Sequence, residues 1–342
     1  MRIFLPKVCA VGLRIVQQRQ SGKNGSTVGA VGLGCMSFAK FYGPTQRDTS
    51  LETLQRAMEL GVTHLDTAIA YGDGYSEDVV GEFTAAHPGR FHVATKCGII
   101  PQPTRHFNNK RDYVRSAVEG SLERLRTNRI DLFYLHRRDP EVPIETAMET
   151  MAELVDEGLI ASIGLSEVAP STLERASKVH HVAAVQSEYS LWTRLPELGL
   201  IHACERLGTA LVAFSPVGRG VFSDDDLDPA TFGQFDFRRH NPRFSDEHFP
   251  ANAVKVVELR AWCQERDWNI AAVAVAWGLA RSPAIISIPG TRSATHLEQL
   301  VAADGIHLGP AELGEIDAIM PAGWAHGARY SEAQNVGPEQ YC

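Results

Sequence analysis

The sequence predicts a single closed (β/α)8 TIM barrel, and three observations carry the prediction. Short β-rich apolar runs alternate with longer segments of helical period, and the alternation repeats eight times from about residue 30 onward. A chain of 342 residues is close to the size at which one large barrel is complete. Its 44% hydrophobic residues can bury a large core, which excludes a disordered, collagenous or coiled-coil chain.

The first predicted strand is 30–35. Before the second, at 63–66, Thr49 and Glu52 have capping-box spacing, Leu51, Leu54 and Met58 share a helical face, and Gly61 supplies a stop. The third strand, 91–96, precedes a stripe of Val114, Ala117, Ser121 and Leu125. The fourth, 131–136, precedes Ile144, Ala147, Met151 and Val155, closed by Gly158. Strands at 160–165, 183–186 and 210–214 follow, and the eighth, 284–288, comes only after a much longer interval. There only 253–266 reads as helix. Residues 216–250 become a long loop rich in Gly, Pro, Asp and Phe, a length that marks a lid or binding element. Residues 1–20 read as an N-terminal extension and 21–342 as the barrel.

Charge and cysteine usage narrow the partners. A net charge of −8 gives no global positive field for nucleic acid or anionic lipid, so the expected partner is a small molecule. The six cysteines are scattered without a C-x-x-C pair, which fits reduced thiols in a cytoplasm and no metal site. The apolar run 8–13, bounded by Lys7 and Arg14, is too short for a secretory core, and no stretch has the apolar length of a membrane span. The sequence does not specify an oligomeric state.

In a barrel of this kind the active site lies where strands end and βα loops begin. The polar residues there are Asp66 with Tyr71, Lys96, His136, Ser166 with Glu167, Gln186, and the loop after Ile288. This set suits carbonyl reduction, in which a hydride arrives at carbon while the oxygen must receive a proton. Tyr71 is the expected proton donor, with Lys96 as the cation that lowers its pKa. Asp66 holds the ammonium charged, and His136 donates a hydrogen bond that aligns the substrate oxygen.

The strings Gly32-Leu33-Gly34-Cys35-Met36, Leu65-Asp66-Thr67-Ala68 with Tyr71-Gly72, Ala94-Thr95-Lys96, His136-Arg137, Ile163-Gly164-Leu165-Ser166-Glu167, Gln186-Ser187-Glu188, Ser215-Pro216 with Gly218-Arg219-Gly220, and Ile288-Pro289-Gly290-Thr291-Arg292 resemble the aldo-keto reductases in order and spacing. The resemblance implies a barrel that binds NADPH, with NAD(H) as the alternative, and reduces an aldehyde or ketone reversibly. No G-x-G-x-x-G follows a strand, so no Rossmann domain is expected. The family's catalytic tetrad falls on Asp66, Tyr71, Lys96 and His136. Its cofactor set falls on Gly34, Met36, Ser166, Glu167, Gln186, Phe214, Ser215, Pro216, Gly218, Arg219, Gly220, Ile288, Gly290, Thr291, Arg292, His296 and Gln299. Ser166, Glu167 and Gln186 would hold the carboxamide, Phe214 would stack on the nicotinamide, and Arg292 would pair with a 2′-phosphate at a helix N-terminus. Glu167, Phe214, His296 and Leu300 depart from the Asn, Tyr, Arg and Asn that many members carry there.

Two competing readings have sequence features of their own. One is an NADPH-binding regulatory or sensor barrel without physiological turnover. The other is a metal-dependent hydrolase built on His64, Asp66 and His136. Expected substrate contacts are Phe38, Phe41, Tyr42, Tyr189, Trp192, Phe222, Phe232, Phe235 and Phe237, whose aromatic walls suit a hydrophobic, aromatic or polycyclic carbonyl, pyridoxal included.

Overall fold

The computed structural model describes residues 17–23, 25–101 and 104–341. Cys9 and the run 8–13 lie outside them. The described chain opens with an antiparallel hairpin of β1 (Gln18–Gln20) and β2 (Thr27–Gly29). It turns at Gly22, where φ is +81° and an added Cβ would stand 2.4 Å from the Ala183 carbonyl oxygen. Residues 18–20, read from the sequence as the end of an extension, form one strand of this hairpin. Arg19 secures them, its guanidinium donating to the carbonyls of Leu279, Ser282 and Ile285.

Then follow β3 (Leu33–Gly34), β4 (His64–Asp66), β5 (His92–Cys97), β6 (Ile99–Ile100), β7 (His106–Phe107), β8 (Leu132–Leu135), β9 (Ile163–Ser166), β10 (Val182–Glu188), β11 (Ala210–Phe214) and β12 (Ile285–Ile288). Strands β6 and β7 form a small antiparallel ribbon beyond the end of β5. The other eight pair in parallel in the order β3-β4-β5-β8-β9-β10-β11-β12, and the bridges Val31–Ser287 and Gly34–Gly290 join last to first. All eight predicted strands are present. Inside the ring small side chains such as Ala94, Ala184 and Ala210 leave room for Tyr134. That ring lies against Gly164, where any Cβ would be 2.2 Å from Tyr134 Cδ1.

The helices are α1 (Arg47–Glu59), α2 (Tyr75–Ala85), α3 (Arg111–Leu125), α4 (Ile144–Asp156), α5 (Pro170–Val179), α6 (Leu200–Leu207), α7 (Phe249–Gln264), α8 (Ile270–Ala280), α9 (Ala294–Val301) and α10 (Pro310–Ile319). Their apolar stripes pack on the outer face of the strands. Helix α1 starts before the expected cap: Gln46 is its N-cap residue, and Thr49 lies within the helix, its carbonyl accepting from Thr53 Oγ1. Helix α8 has no counterpart in the sequence reading. Every residue from Ile270 to Leu279 is buried, so the segment is apolar on all sides and shows no stripe.

The interval 216–250 is likewise not structureless. It carries short 3-10 turns at Gly218–Gly220, Pro229–Thr231, Phe237–His240 and Pro242–Phe244, the last three capped by the side chains of Asp228, Asp236 and Asn241. Among the described residues no helix is long and apolar enough to cross a membrane, and Cys35, Cys97, Cys204 and Cys263 are free and buried.

Candidate active site

The parallel register sets Asp66, the last residue of β4, beside β5, which carries Lys96, and His136 follows the end of β8. Tyr71 comes from the loop between β4 and α2. Lys96 is fully buried. Its Nζ donates to Asp66 Oδ1 at 2.5 Å, to the Thr67 carbonyl at 2.7 Å and to Tyr71 Oη at 3.4 Å, which uses all three ammonium protons. Asp66 Oδ2 accepts from Gln186 Nε2 at 2.8 Å, so β10 also fixes the carboxylate. The Tyr71 ring meets the His136 ring edge-on at 5.7 Å. The four residues chosen for their chemistry therefore converge.

The electrostatics refine the expected roles. Burial pushes the Tyr71 phenol above its ordinary value, and the Lys96 charge offsets only part of that rise. The net shift is upward, against the sequence expectation, and leaves the phenol protonated across the neutral range. Burial opposes the charge on Lys96, but Asp66 and Tyr71 more than compensate, so the ammonium is held charged. Burial, together with the charges of Arg137, Lys96 and Arg105, holds His136 well below the usual imidazole range. A neutral imidazole keeps one N–H to donate.

These groups open into a cavity of about 890 Å3. Asp66, Tyr71 and His136 line it, as do Gly34, Met36, Ser166, Gln186, Phe214, Ser215, Arg219, Gly220, Ile288, Gly290, Thr291, Arg292, His296 and Gln299 of the expected cofactor set. Glu167 does not. Its carboxylate turns away to Arg329 at 2.5 Å, to the Glu188 backbone N–H at 2.8 Å and to the Ser187 hydroxyl at 3.1 Å. Pro216 and Gly218 do not line it either, and shape the turn after β11 instead. Three non-glycine residues at this rim hold left-handed backbones: Glu167 at φ +55°, Ser215 at +52° and Arg219 at +60°.

At the far end, Ser293 caps α9 by accepting from the His296 N–H at 3.3 Å. Arg292 beside it donates to the carbonyls of Tyr42 and Gly43 at 3.0 and 3.1 Å. Of the expected substrate aromatics, Phe41, Tyr42, Phe222 and Phe237 line the cavity. Phe38, Tyr189, Trp192 and Phe232 are buried elsewhere in the core, while Phe235 is 84% exposed. Trp192 packs on Phe222, Phe244 and Trp324. Among the described residues no three His, Cys, Asp or Glu side chains could hold a metal ion, and His64 instead meets His92 at 3.1 Å.

Sequence reasoning missed part of the wall. Ile99 and Pro101 beyond β5, Arg105 near β7, and Tyr330, Ala333 and Gln334 of the C-terminal segment all reach the cavity. That segment is held across the mouth: the Glu339 N–H donates to the Glu167 carbonyl and Arg138 pairs with the Glu339 carboxylate. Only Arg137, adjacent to His136, carried a sequence signal.

Comparison with known proteins agrees with this geometry. Residues 30–321 match the model of the aldo/keto reductase family. The chain is 35% identical over 312 residues to the aldo-keto reductase yakc [NADP(+)] of Schizosaccharomyces pombe, covering 89% of this chain and 92% of that one. Among solved structures it resembles the glycerol dehydrogenase AKR11B4 of Gluconobacter oxydans, with TM-score 0.81 and 26% identity over 88% of this chain and 94% of that one. It also resembles an aldo/keto reductase of Klebsiella pneumoniae solved with NADP and acetate, with TM-score 0.73 and 25% identity over 92% and 99%. With the tetrad assembled at the strand ends and the family model spanning the barrel, the chain belongs to the aldo/keto reductase family.

Proposed function

We propose that the protein is an NADPH-dependent reductase of an aldehyde or ketone, working at the cavity above Asp66, Tyr71, Lys96 and His136. The observation that carries the reading is the fully buried ammonium of Lys96, held between Asp66 and the Tyr71 phenol, both of which line the cavity. The donor set suits the cofactor. The Ser166 hydroxyl and Gln186 amide lie at one end with Phe214, while Arg292 and the N-terminus of α9 lie at the other, where a phosphate is favoured. When bound, NADPH supplies the hydride for the carbonyl carbon.

The protein's own residues do the rest. Tyr71 gives its proton to the carbonyl oxygen, and the neighbouring Lys96 charge stabilises the phenolate left behind. His136, neutral, donates a hydrogen bond that fixes the oxygen's position. Phe41, edge-on to Tyr71 at 5.9 Å, and Phe237 give that end of the cavity aromatic walls for a planar or hydrophobic carbonyl compound. The buried free thiols suit a cytoplasmic setting.

Oxidation of NADPH by a panel of aromatic aldehydes and ketones tests the reading. Tyr71→Phe is expected to lower kcat by at least about 100-fold, the contribution of a general acid, and to leave the Kd for NADPH nearly unchanged. A folded variant turning over at the wild-type rate would remove Tyr71 from the chemistry. Tight NADPH binding without turnover of any carbonyl would favour a regulatory barrel.

A further inference from the structure

The substrate end of the cavity carries a charge imbalance that the reduction does not use. Arg137 lines the cavity next to His136 and is only 8% exposed. One terminal nitrogen donates to the His136 carbonyl at 2.6 Å and to Ser166 Oγ at 3.1 Å, while its Nε has no partner. Arg105 lines the same end from the β7 side. It donates to the carbonyls of Ala333 and Val336 and lies over the Phe107 ring at 5.1 Å. Among the described residues neither arginine has a carboxylate within ion-pair distance.

Most carboxylates that line or border the cavity are committed elsewhere. Glu188 pairs with Arg219 at 2.9 Å and Glu167 with Arg329 at 2.5 Å, so two anions are taken by two further guanidiniums. Asp66 is taken by Lys96. The Asp224, Asp225 and Asp226 run also lines the cavity, but Asp224 accepts from Asn269, whose residue caps α8, and Asp226 pairs with Arg260 of α7. Arg105 and Arg137 are close enough for the charge of Arg137 to lower the pKa of Arg105, and both charges oppose protonation of His136. Arg137 is a buried guanidinium without a counter-ion, which is costly, while Arg105 stands exposed at the cavity mouth, and the planar fork of each matches a carboxylate.

We propose that this end of the cavity selects carbonyl compounds that also carry a carboxylate, bound by Arg137 and Arg105 beside the Tyr330 side chain. The proposal rests on the reading of the cavity as a carbonyl-reducing site and adds the class of substrate. Aromatic carbonyl acids combine this anion with the Phe41 and Phe237 walls.

The test uses an isosteric pair, 4-formylbenzoate and 4-formylbenzamide, with the NADPH-loaded enzyme. Wild type is expected to favour the acid by about tenfold or more in kcat/KM, the range of a charge-assisted hydrogen bond. In Arg105→Met that ratio is expected to fall towards one through a raised KM for the acid, and Arg105→Lys should recover part of it. Calorimetric titration of benzoate against benzamide into the NADP+-loaded protein gives a readout free of turnover. Benzoate should bind more tightly, and the difference should shrink in Arg105→Met and in high salt. Equal efficiency for acid and amide in wild type, or a preference that survives both Arg105→Met and Arg137→Met, overturns the proposal. If neither aldehyde oxidises NADPH, the reductase reading fails, and the benzoate titration still decides the anion site.

Discussion

In the proposed reading, Arg292 is a side chain prepared for a ligand before the ligand arrives. Its guanidinium is steadied by the carbonyls of Tyr42 and Gly43, and burial with the charge of Arg238 lowers its pKa. A 2′-phosphate would meet a fork already oriented, at a contribution of about 1.5–3 kcal/mol, or roughly 10- to 150-fold in affinity. Arg292→Ala is therefore expected to weaken NADPH binding by that factor and NADH binding far less, measured by quenching of tryptophan emission. Equal losses for both would assign Arg292 to the 42–43 turn alone. At this scale the sequence was legible where chemistry imposes a residue type. A phenol, an ammonium, a carboxylate and an imidazole at strand ends are a rare combination. It was silent on Arg105 and Tyr330, which lie far apart in the chain and meet only because the barrel mouth brings them together. Glu167 was misread because position at a strand end says nothing of side-chain direction, and Arg329 draws it away from the cavity.

Among the elements, the interval 216–250 spans the cavity that the proposed cofactor would enter. Its Phe237 N–H donates to the Phe41 carbonyl at 3.0 Å, and Arg238 lies over the Tyr42 ring, so it is fastened across the cavity to the loop after β3. Asp236 holds that fastening. Its carboxylate accepts from the Arg238 backbone N–H at 2.9 Å and from the guanidinium at 2.7 and 3.0 Å. Asp236→Ala should release Arg238 and speed both association and dissociation of NADPH in stopped-flow fluorescence, with dissociation raised about tenfold or more for a lost charge-assisted bond. Unchanged rates would show that cofactor passes without opening this contact. The length and composition of the interval signalled a binding element, but not its 3-10 turns, three of which depend on local side-chain caps. Helix α8 stayed hidden for the opposite reason. Burial on every side erases the period on which helix recognition depends, leaving only Asn269, which accepts from the Ala272 N–H, as a sign of its start.

For the molecule as a whole, the eightfold alternation was the strongest signal, because a repeated βα unit has few ways to bury both faces of a parallel sheet. Stability of that whole depends on pH through its buried histidines, the pair His64 and His92 together with His136. Burial holds all three below the usual 6.5, and with Nδ1 of His64 facing Nδ1 of His92 at 3.1 Å one nitrogen of the pair must be the acceptor. Once unfolded, all three take up protons below about pH 6.5, so the unfolded state binds more protons and stability falls as pH drops, by up to about 1.4 kcal/mol per pH unit for each. Tm should therefore fall between pH 7.5 and 5.5, before most carboxylates titrate, and fall less in the double variant His64→Leu with His92→Leu. Equal falls would place the acid sensitivity elsewhere. The left-handed backbones of Glu167, Ser215 and Arg219 have another kind of consequence. Each costs on the order of 1–3 kcal/mol, and the cost is tolerated only because the surrounding contacts over-determine it. Glu167 and Arg219 offset that cost through buried ion pairs with Arg329 and Glu188, whereas Ser215 has no such pair, so selection for heat resistance alone has reason to replace Ser215 with glycine and selection for turnover has reason to keep it at the cavity wall. In a mutant library position 215 would separate lineages bred for endurance from lineages bred for chemistry.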